Sequence, residues 1–339
     1  MTNFQAPSPP RTLLDLIVGS WVSQAIAVAA RLGIADLLED GSRPCSELAQ
    51  ATETHPDALY RLLRALASIG IFAEDEDGRF ALTPLAEGLQ TKAFASLRAY
   101  AVFAGEDSSW RAWGRLVHSV RTGECAFEHV FGTQLFDYFA QHPDAGQVFD
   151  AAMANRSSTE DRAVAATYTV PRGTIIDVGG GRGSLIAAFL RRNAEARGIL
   201  FDRPRVIEGA IATIREAGLA DRCQLVSGDF FDRVPAGGDL YLMKKVIHDW
   251  DDSRAHAILA NCRAVMNGNS RLVLLEAVIL PGNAPAFGKL LDLQMLVQTP
   301  GGRERTEAEY RTLLSAAGLK LARIVPTDSP ISIIEAVPR

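Results

Sequence analysis

The stretch GTIIDVGGGRGS, Gly173–Ser184, decides the fold. Ile175, Ile176 and Val178 belong to a short branched apolar run, the pattern of a strand buried on both faces. Gly179, Gly180, Gly181 and Gly183 then make a turn in which bare backbone can approach a ligand, and Ser184–Arg192 reads as the following helix. The same rhythm runs on. ARGILFD (196–202) is a strand, Pro204–Ala217 a helix closed by Gly218, RCQLVSGD (222–229) a strand, DLYLMKKVI (239–247) a strand, Asp252–Met266 a helix and RLVLLEAVIL (271–280) a strand. A capping box of Thr306 and Glu309 opens a last helix that stops at Gly318, before LKLARIVPT (319–327) and ISIIEAVP (331–338). Strands alternating with crossover helices predict a Rossmann-like, doubly wound, mainly parallel α/β sheet. Such sheets bind ligands beyond the carboxyl ends of their strands.

Upstream of Pro171 the pattern is different. Leu13 to about Leu38 carries apolar residues at helical spacing with little polar face, followed by helices at Cys45–Ala51 and Pro56–Ile69 with Ser46 and Thr54 as caps, then a hairpin in IFAEDEDGRFALT around Asp77-Gly78. Helix, helix, hairpin is a winged-helix pattern. Pro7, Pro9 and Pro10 read as a loose arm. More helices follow from Ala95 to about Thr167. The expected division is 1–95, a winged-helix-like dimerisation domain; 96–168, a helical linker region; and 169–339, the α/β domain.

Composition bounds the function. The chain has 339 residues, 47% hydrophobic and 22% charged, with a net charge of −5, so no general basic field draws nucleic acid or an anionic membrane. Residues 1–100 hold eight Lys and Arg against twelve Asp and Glu, which argues against DNA reading by the winged helix. The apolar first helix points instead to a protein interface, expected to be with a second copy of the chain. No apolar run is long enough to span a membrane and no secretory leader is visible, so a cytoplasmic location is expected. Cys45, Cys125, Cys223 and Cys262 lack metal-ligand spacing and read as scattered reduced thiols.

The strand ends carry acids. Asp177 precedes the glycine turn, Asp202 ends the next strand at the spacing of a ribose-binding carboxylate, and Asp229 sits in SGDFF, where Phe230 can flank a ring. A dinucleotide fingerprint would place a glycine at Ser184, and an acid at Asp177 would repel a pyrophosphate. It suits a ligand with an ammonium and a sulfonium, and S-adenosylmethionine has both. The stretch VIHDWDD, Val246–Asp252, then adds His248, an imidazole able to accept a phenolic proton if its other nitrogen is held.

DVGGGRGS, FDRP, SGDFF, MKKVIHDWDD, LLEAVILP and TPGGRERTEAEY, in this order and spacing, resemble the small-molecule O-methyltransferase family that includes plant caffeate-type and bacterial polyketide-tailoring enzymes. The similarity spans nearly the whole chain. It implies a methyltransferase sheet with one antiparallel strand behind a winged-helix-like dimerisation domain. It further implies S-adenosylmethionine as donor, S-adenosylhomocysteine as product, no metal, and His248 as general base flanked by Glu276 and Glu304. Around the donor it places Asp202 on the ribose, Asp229 and Phe230 on the adenine, Lys244 near the nucleoside and Gly179 beside the methionine portion, with Asp177, Gly181, Arg203 and Trp250 completing the set and Ser157 at the amino-acid end.

Acceptor-lining positions match Phe149, Met153, Met295 and Thr299, with Trp110, Asp292 and Gln298 as further candidates and 96–168 contributing to the pocket. That lining suits a flat aromatic ring carrying a hydroxyl. Plant relatives acting on phenylpropanoids often carry asparagine where Thr299 stands, and the Ala- and Arg-rich composition points to a bacterial source, hence a polyketide or similar secondary metabolite. Two alternatives stay open: a relative that binds the donor but performs hydroxylation or decarboxylation, and a ligand-sensing regulator that uses its winged helix on DNA.

Overall fold

The computed structural model describes residues 9–93, 95–169 and 172–339, the side chains of residues 9–12 and 155–159 excepted. The chain packs as two units, Met1–Trp110 with His142–Arg156, and Arg111–Gln141 with Ser157–Arg339.

In the first unit, helices Gly19–Arg31, Cys45–Ala51 and Pro56–Ala67 and the strands β1 (Arg43–Pro44), β2 (Phe72–Glu74) and β3 (Arg79–Leu82) form the winged-helix pattern, the strands antiparallel in the order β1-β3-β2. Leu59, Leu63 and Leu66, three and four residues apart on Pro56–Ala67, bury one stripe of that helix with Ile34, Leu48, Phe72 and Phe80. The single greasy helix expected from Leu13 to Leu38 is instead three, Pro9–Ile17, Gly19–Arg31 and Ile34–Leu37, because Gly33 takes a left-handed φ of 69° that ends the second. The first begins at Pro9, so Pro9 and Pro10 open a helix and are no part of a loose arm; Pro7 lies outside the described residues. Ser46 and Thr54 cap nothing: Pro44 and His55 hold the N-cap positions, and Thr54 bonds the Thr52 hydroxyl at 2.9 Å. Leu13, Leu14, Leu16, Ile17 and Trp21 are 57–74% exposed.

The second unit is built on seven strands: β4 (Thr174–Val178), β5 (Arg197–Asp202), β6 (Cys223–Ser227), β7 (Leu240–Lys244), β8 (Arg271–Glu276), and, beyond a short parallel pair formed by β9 (Val278–Ile279) and β10 (Arg305–Thr306), β11 (Leu319–Pro326) and β12 (Ser332–Pro338). The sheet order is β11-β12-β8-β7-β4-β5-β6, parallel except for β12, which runs antiparallel to both neighbours. Alternation along the strands feeds two cores. Ile175, Leu200, Leu242 and Val273 meet helices Ser184–Arg192 and Pro204–Glu216 on one face; Ile176, Phe201, Met243 and Leu274 meet Asp252–Val265 and Glu307–Ala316 on the other. The doubly wound sheet read from the sequence is therefore the observed one.

Three strands are shorter than their sequence predicts. RCQLVSGD is a strand only over Cys223–Ser227, so Asp229 lies beyond its end. The run 239–247 leaves the sheet at Lys244, since Lys245 turns to φ 54°, and Ile247–Asp249 form a 3₁₀ turn, so His248 lies on a turn and not at a strand end. The run 271–280 breaks at Ala277, which makes Glu276 the last residue of β8.

Candidate active site

The glycine turn lies beyond the tip of β4. Gly180 leaves no room for a side chain, because a Cβ there would stand 2.3 Å from Leu200 Cδ1 and 2.6 Å from Asp177 Cγ. Gly181, at φ 60°, faces open space, so its backbone is bare to an incoming group. Asp202, last in β5, accepts the Gly181 amide at 2.8 Å with one oxygen and the Arg203 amide at 2.7 Å with the other, which ties the two turns together. Burial raises its carboxyl and these two amides pull it back. Asp177 is fully buried, and among the described residues no side chain hydrogen-bonds either of its carboxylate oxygens. Burial pushes it up to about 7, while Lys244 and the Ile186 amide pull the other way. A buried carboxylate left unmatched beside bare backbone fits a cationic ligand, and a donor bearing an ammonium and a sulfonium would complete it.

The neighbouring strand tips supply the rest of this end. Asp229 lies two residues past β6 and accepts the Phe231 amide at 2.8 Å, while Asn261 holds the Phe230 and Phe231 carbonyls at 2.9 and 2.8 Å. Phe230 and Phe231 stand edge-on to Trp250, with ring centroids 6.3 and 4.8 Å away. Lys244 is paired with Asp161 and Lys245 with Glu160, both acids buried on the helix Pro143–Thr167. The Ser157 side chain lies outside the described residues.

His248, Glu276 and Glu304 meet in a buried cluster. His248 Nδ1 is 2.7 Å from Glu304 Oε1 and 3.7 Å from Glu276 Oε2, and Nε2 is 3.6 Å from Asp249 Oδ1. Glu276 turns its other oxygen to the Val246 and Ile247 amides at 3.1 and 2.9 Å, so it fixes the turn as well as facing the ring. Burial by itself would lower the imidazole; the charges of Glu276, Asp249 and Glu304 outweigh it and hold His248 up to about 9. Burial likewise pushes Glu276 up to about 7 and Asp249 to about 6. The three ligand-type atoms of His248, Glu276 and Glu304 lie within 4.8 Å of one another, a grouping that their spacing in the linear sequence does not reveal.

The remaining expected positions divide between the units. Asp292 accepts the Glu304 amide at 2.8 Å and so bears on the cluster through that backbone. Met295, Gln298 and Thr299 are buried on or just past the helix Phe287–Gln298, Thr299 bonding the Met295 carbonyl at 2.9 Å. Trp110, Phe149 and Met153 belong to the first unit, where Phe149 stands edge-on to Phe103. Asp161 and the fully buried Arg305 carry no local sequence signal beyond the alternation Arg303-Glu304-Arg305, which puts both arginines on the side opposite Glu304.

Fold and site together define a class, the nucleoside-dependent transferases that move a one-carbon cation to a bound acceptor. The comparisons name the family. An O-methyltransferase domain matches residues 113–320 and an O-methyltransferase dimerisation domain matches residues 14–92, and the chain belongs to this family of S-adenosylmethionine-dependent O-methyltransferases. It is 48% identical over 327 residues to a phenazine O-methyltransferase of Lysobacter antibioticus, covering 96% of this chain and 95% of the relative. It is 32% identical to a phenazine-1-carboxylate N-methyltransferase of Pseudomonas aeruginosa, covering 93% of each. Among solved structures, LaPhzM superposes with a TM-score of 0.93 at 46% identity, covering 98% of this chain and 100% of that one. The neocarzinostatin-pathway O-methyltransferase NcsB1, solved with S-adenosylmethionine and 2-hydroxy-5-methyl naphthoic acid, superposes at 0.82 and 33% identity, covering 99% and 100%.

Proposed function

We propose that the chain methylates a hydroxyl on a small aromatic secondary metabolite, by in-line displacement with His248 as the general base. The observation that carries this reading is the 2.7 Å contact between His248 Nδ1 and Glu304, which holds one ring nitrogen and leaves Nε2 to take the acceptor's proton. The donor supplies a methyl group already activated by its sulfonium. The chain's part is alignment and deprotonation: Asp177, Gly179, Gly181 and Arg203 hold the donor's methionine end, Asp202 its ribose, and Asp229 and Phe230 its adenine, with Lys244 and Trp250 beside the nucleoside. Met295, Thr299, Asp292 and Gln298, all of the second unit, line the acceptor side. The acceptors named for the relatives, a phenazine and a naphthoate, are flat rings of the size this reading requires.

Incubation with S-adenosylmethionine and a panel of hydroxylated phenazines and naphthoates should give one added methylene unit by mass. H248A should still bind the donor and lose about 10²–10⁴-fold in turnover, the usual worth of a positioned base. Normal turnover in that variant removes the base role.

One observation favours a second reading, methylation at nitrogen. With His248 held up to about 9, the resting imidazole carries its proton at neutral pH, and an amine acceptor needs no base. The pH dependence of kcat/KM separates the two. For a hydroxyl acceptor it climbs as His248 deprotonates; for an amine it stays flat across that range.

A further inference from the structure

Arg305 is one of the largest fully buried side chains among the described residues, and it has no part of its own in the donor contacts or the proton transfer proposed above. A buried guanidinium is costly unless every N–H finds an acceptor. Here each does. Nε donates to Asp252 Oδ1 at 3.0 Å, Nη1 to the Ile247 carbonyl at 3.0 Å and the Arg303 carbonyl at 3.4 Å, and Nη2 to the Trp250 carbonyl at 2.8 Å and Asp252 Oδ1 at 2.8 Å. The acceptors flank His248 on both sides in the chain, at Ile247 and at Trp250.

The two residues before Arg305 grip the same turn. The Arg303 amide donates to the His248 carbonyl at 2.8 Å, and Glu304 meets the His248 ring at 2.7 Å. Consecutive side chains on an extended segment point to opposite sides, so Glu304 reaches the imidazole while Arg305 reaches the backbone that carries it. That backbone has little of its own to hold it: the strand has ended, Lys245 has turned to φ 54°, and Ile247–Asp249 is a single 3₁₀ turn. A planar fork of five donors fixes direction as well as distance, which a lysine ammonium cannot do.

We infer that Arg305 is a positioning residue for the methyl transfer, clamping the turn Ile247–Asp252 so that the His248 ring and the Trp250 ring keep one fixed spacing. The inference rests on the reading of His248 as the base. Arg305 touches neither ring; it sets where both stand. Asp252 is the outer half of the clamp, with its side chain 67% exposed.

The test compares R305K and D252A with H248A, using S-adenosylmethionine and a monohydroxyphenazine. R305K is expected to lower kcat by tenfold or more, a larger effect than any rise in donor Kd through Trp250, and to shift the rising limb of the pH–kcat/KM profile. D252A, a change at an exposed residue, is expected to give a smaller fall in kcat with the same limb displaced. If R305K does not fold, D252A alone decides. Wild-type kcat and pH profile in either folded variant, or a defect confined to KM and donor Kd, overturns the inference. An active H248A sinks the base reading instead, so the two failures are told apart.

Discussion

At the scale of single residues, the proposed donor contacts and the buried ionisable cluster each make a measurable prediction. Asp202 is held by two backbone amides, and the proposed function gives it the donor's ribose. D202A should weaken S-adenosylmethionine binding about 10–100-fold by calorimetric titration, the worth of one or two hydrogen bonds to a charged group; unchanged affinity removes Asp202 from the donor site. The ionisable cluster has a second consequence. A group whose pKa is raised by folding binds its proton more tightly in the native chain, so its contribution to stability is complete below the unfolded pKa and fades as pH rises through the folded one. For His248 that window runs from 6.5 to about 9, and for Glu276 from 4.5 to about 7. Thermal melting of the wild type should therefore lose ground against H248Q between pH 6.5 and 9. A constant difference across that interval would contradict the raised imidazole.

The single residues that proved legible are those that a local pattern marks. Asp177 and Asp202 stand at strand tips next to glycine or proline, and His248 interrupts an apolar run with acids. The partners of Lys244 and Arg305 were not legible, because Asp161 lies 83 residues from the lysine and Ile247 58 residues from the arginine, and nothing local announces such pairings.

At the scale of elements, period and capping carry most of the information. Ser184–Arg192 is found where it was expected, and the last helix opens with the capping box of Thr306 and Glu309, in which the Glu309 amide donates to the Thr306 hydroxyl at 3.3 Å and the Thr306 amide to Glu309 Oε2 at 2.8 Å. T306A should cost about 1 kcal/mol of stability in denaturant unfolding, with a slight fall in activity because β10 also carries Arg305 into the clamp. No loss of stability would mean that the packing of Tyr310, Leu313 and Leu314 already fixes the helix. Strand ends were less legible than helix starts. Val246 and Ile247 are as apolar as the strand before them, and only the positive φ of Lys245, which no residue type at that position demands, takes them out of the sheet.

At the scale of the whole molecule, the exposed row Leu13, Leu14, Leu16, Ile17 and Trp21 and the match of residues 14–92 to a dimerisation domain support a homodimer formed through the N-terminal region. Sedimentation at micromolar concentration should give twice the mass of the 36.6 kDa chain, and W21E should shift the profile toward a single chain; a monomer in the wild type overturns this. Among the described residues, no helix is long and apolar enough to cross a membrane.

The antiparallel strand sets a constraint on how the sheet is assembled. β12 follows β11 in the chain yet lies between it and β8, so β11 touches no other strand of the sheet until β12 is in place. The two are joined by a short connection and pair along seven residue positions, which lets them close on each other as a local hairpin before meeting the parallel strands. That hairpin then arrives as a preformed unit, and the register Ser332 opposite Glu276 fixes where it lands. A slip of one position along that seam would exchange the residues that β12 sends into the two cores, Ile333 on one face and Ile334 and Ala336 on the other, and would take Ser332 away from Glu276.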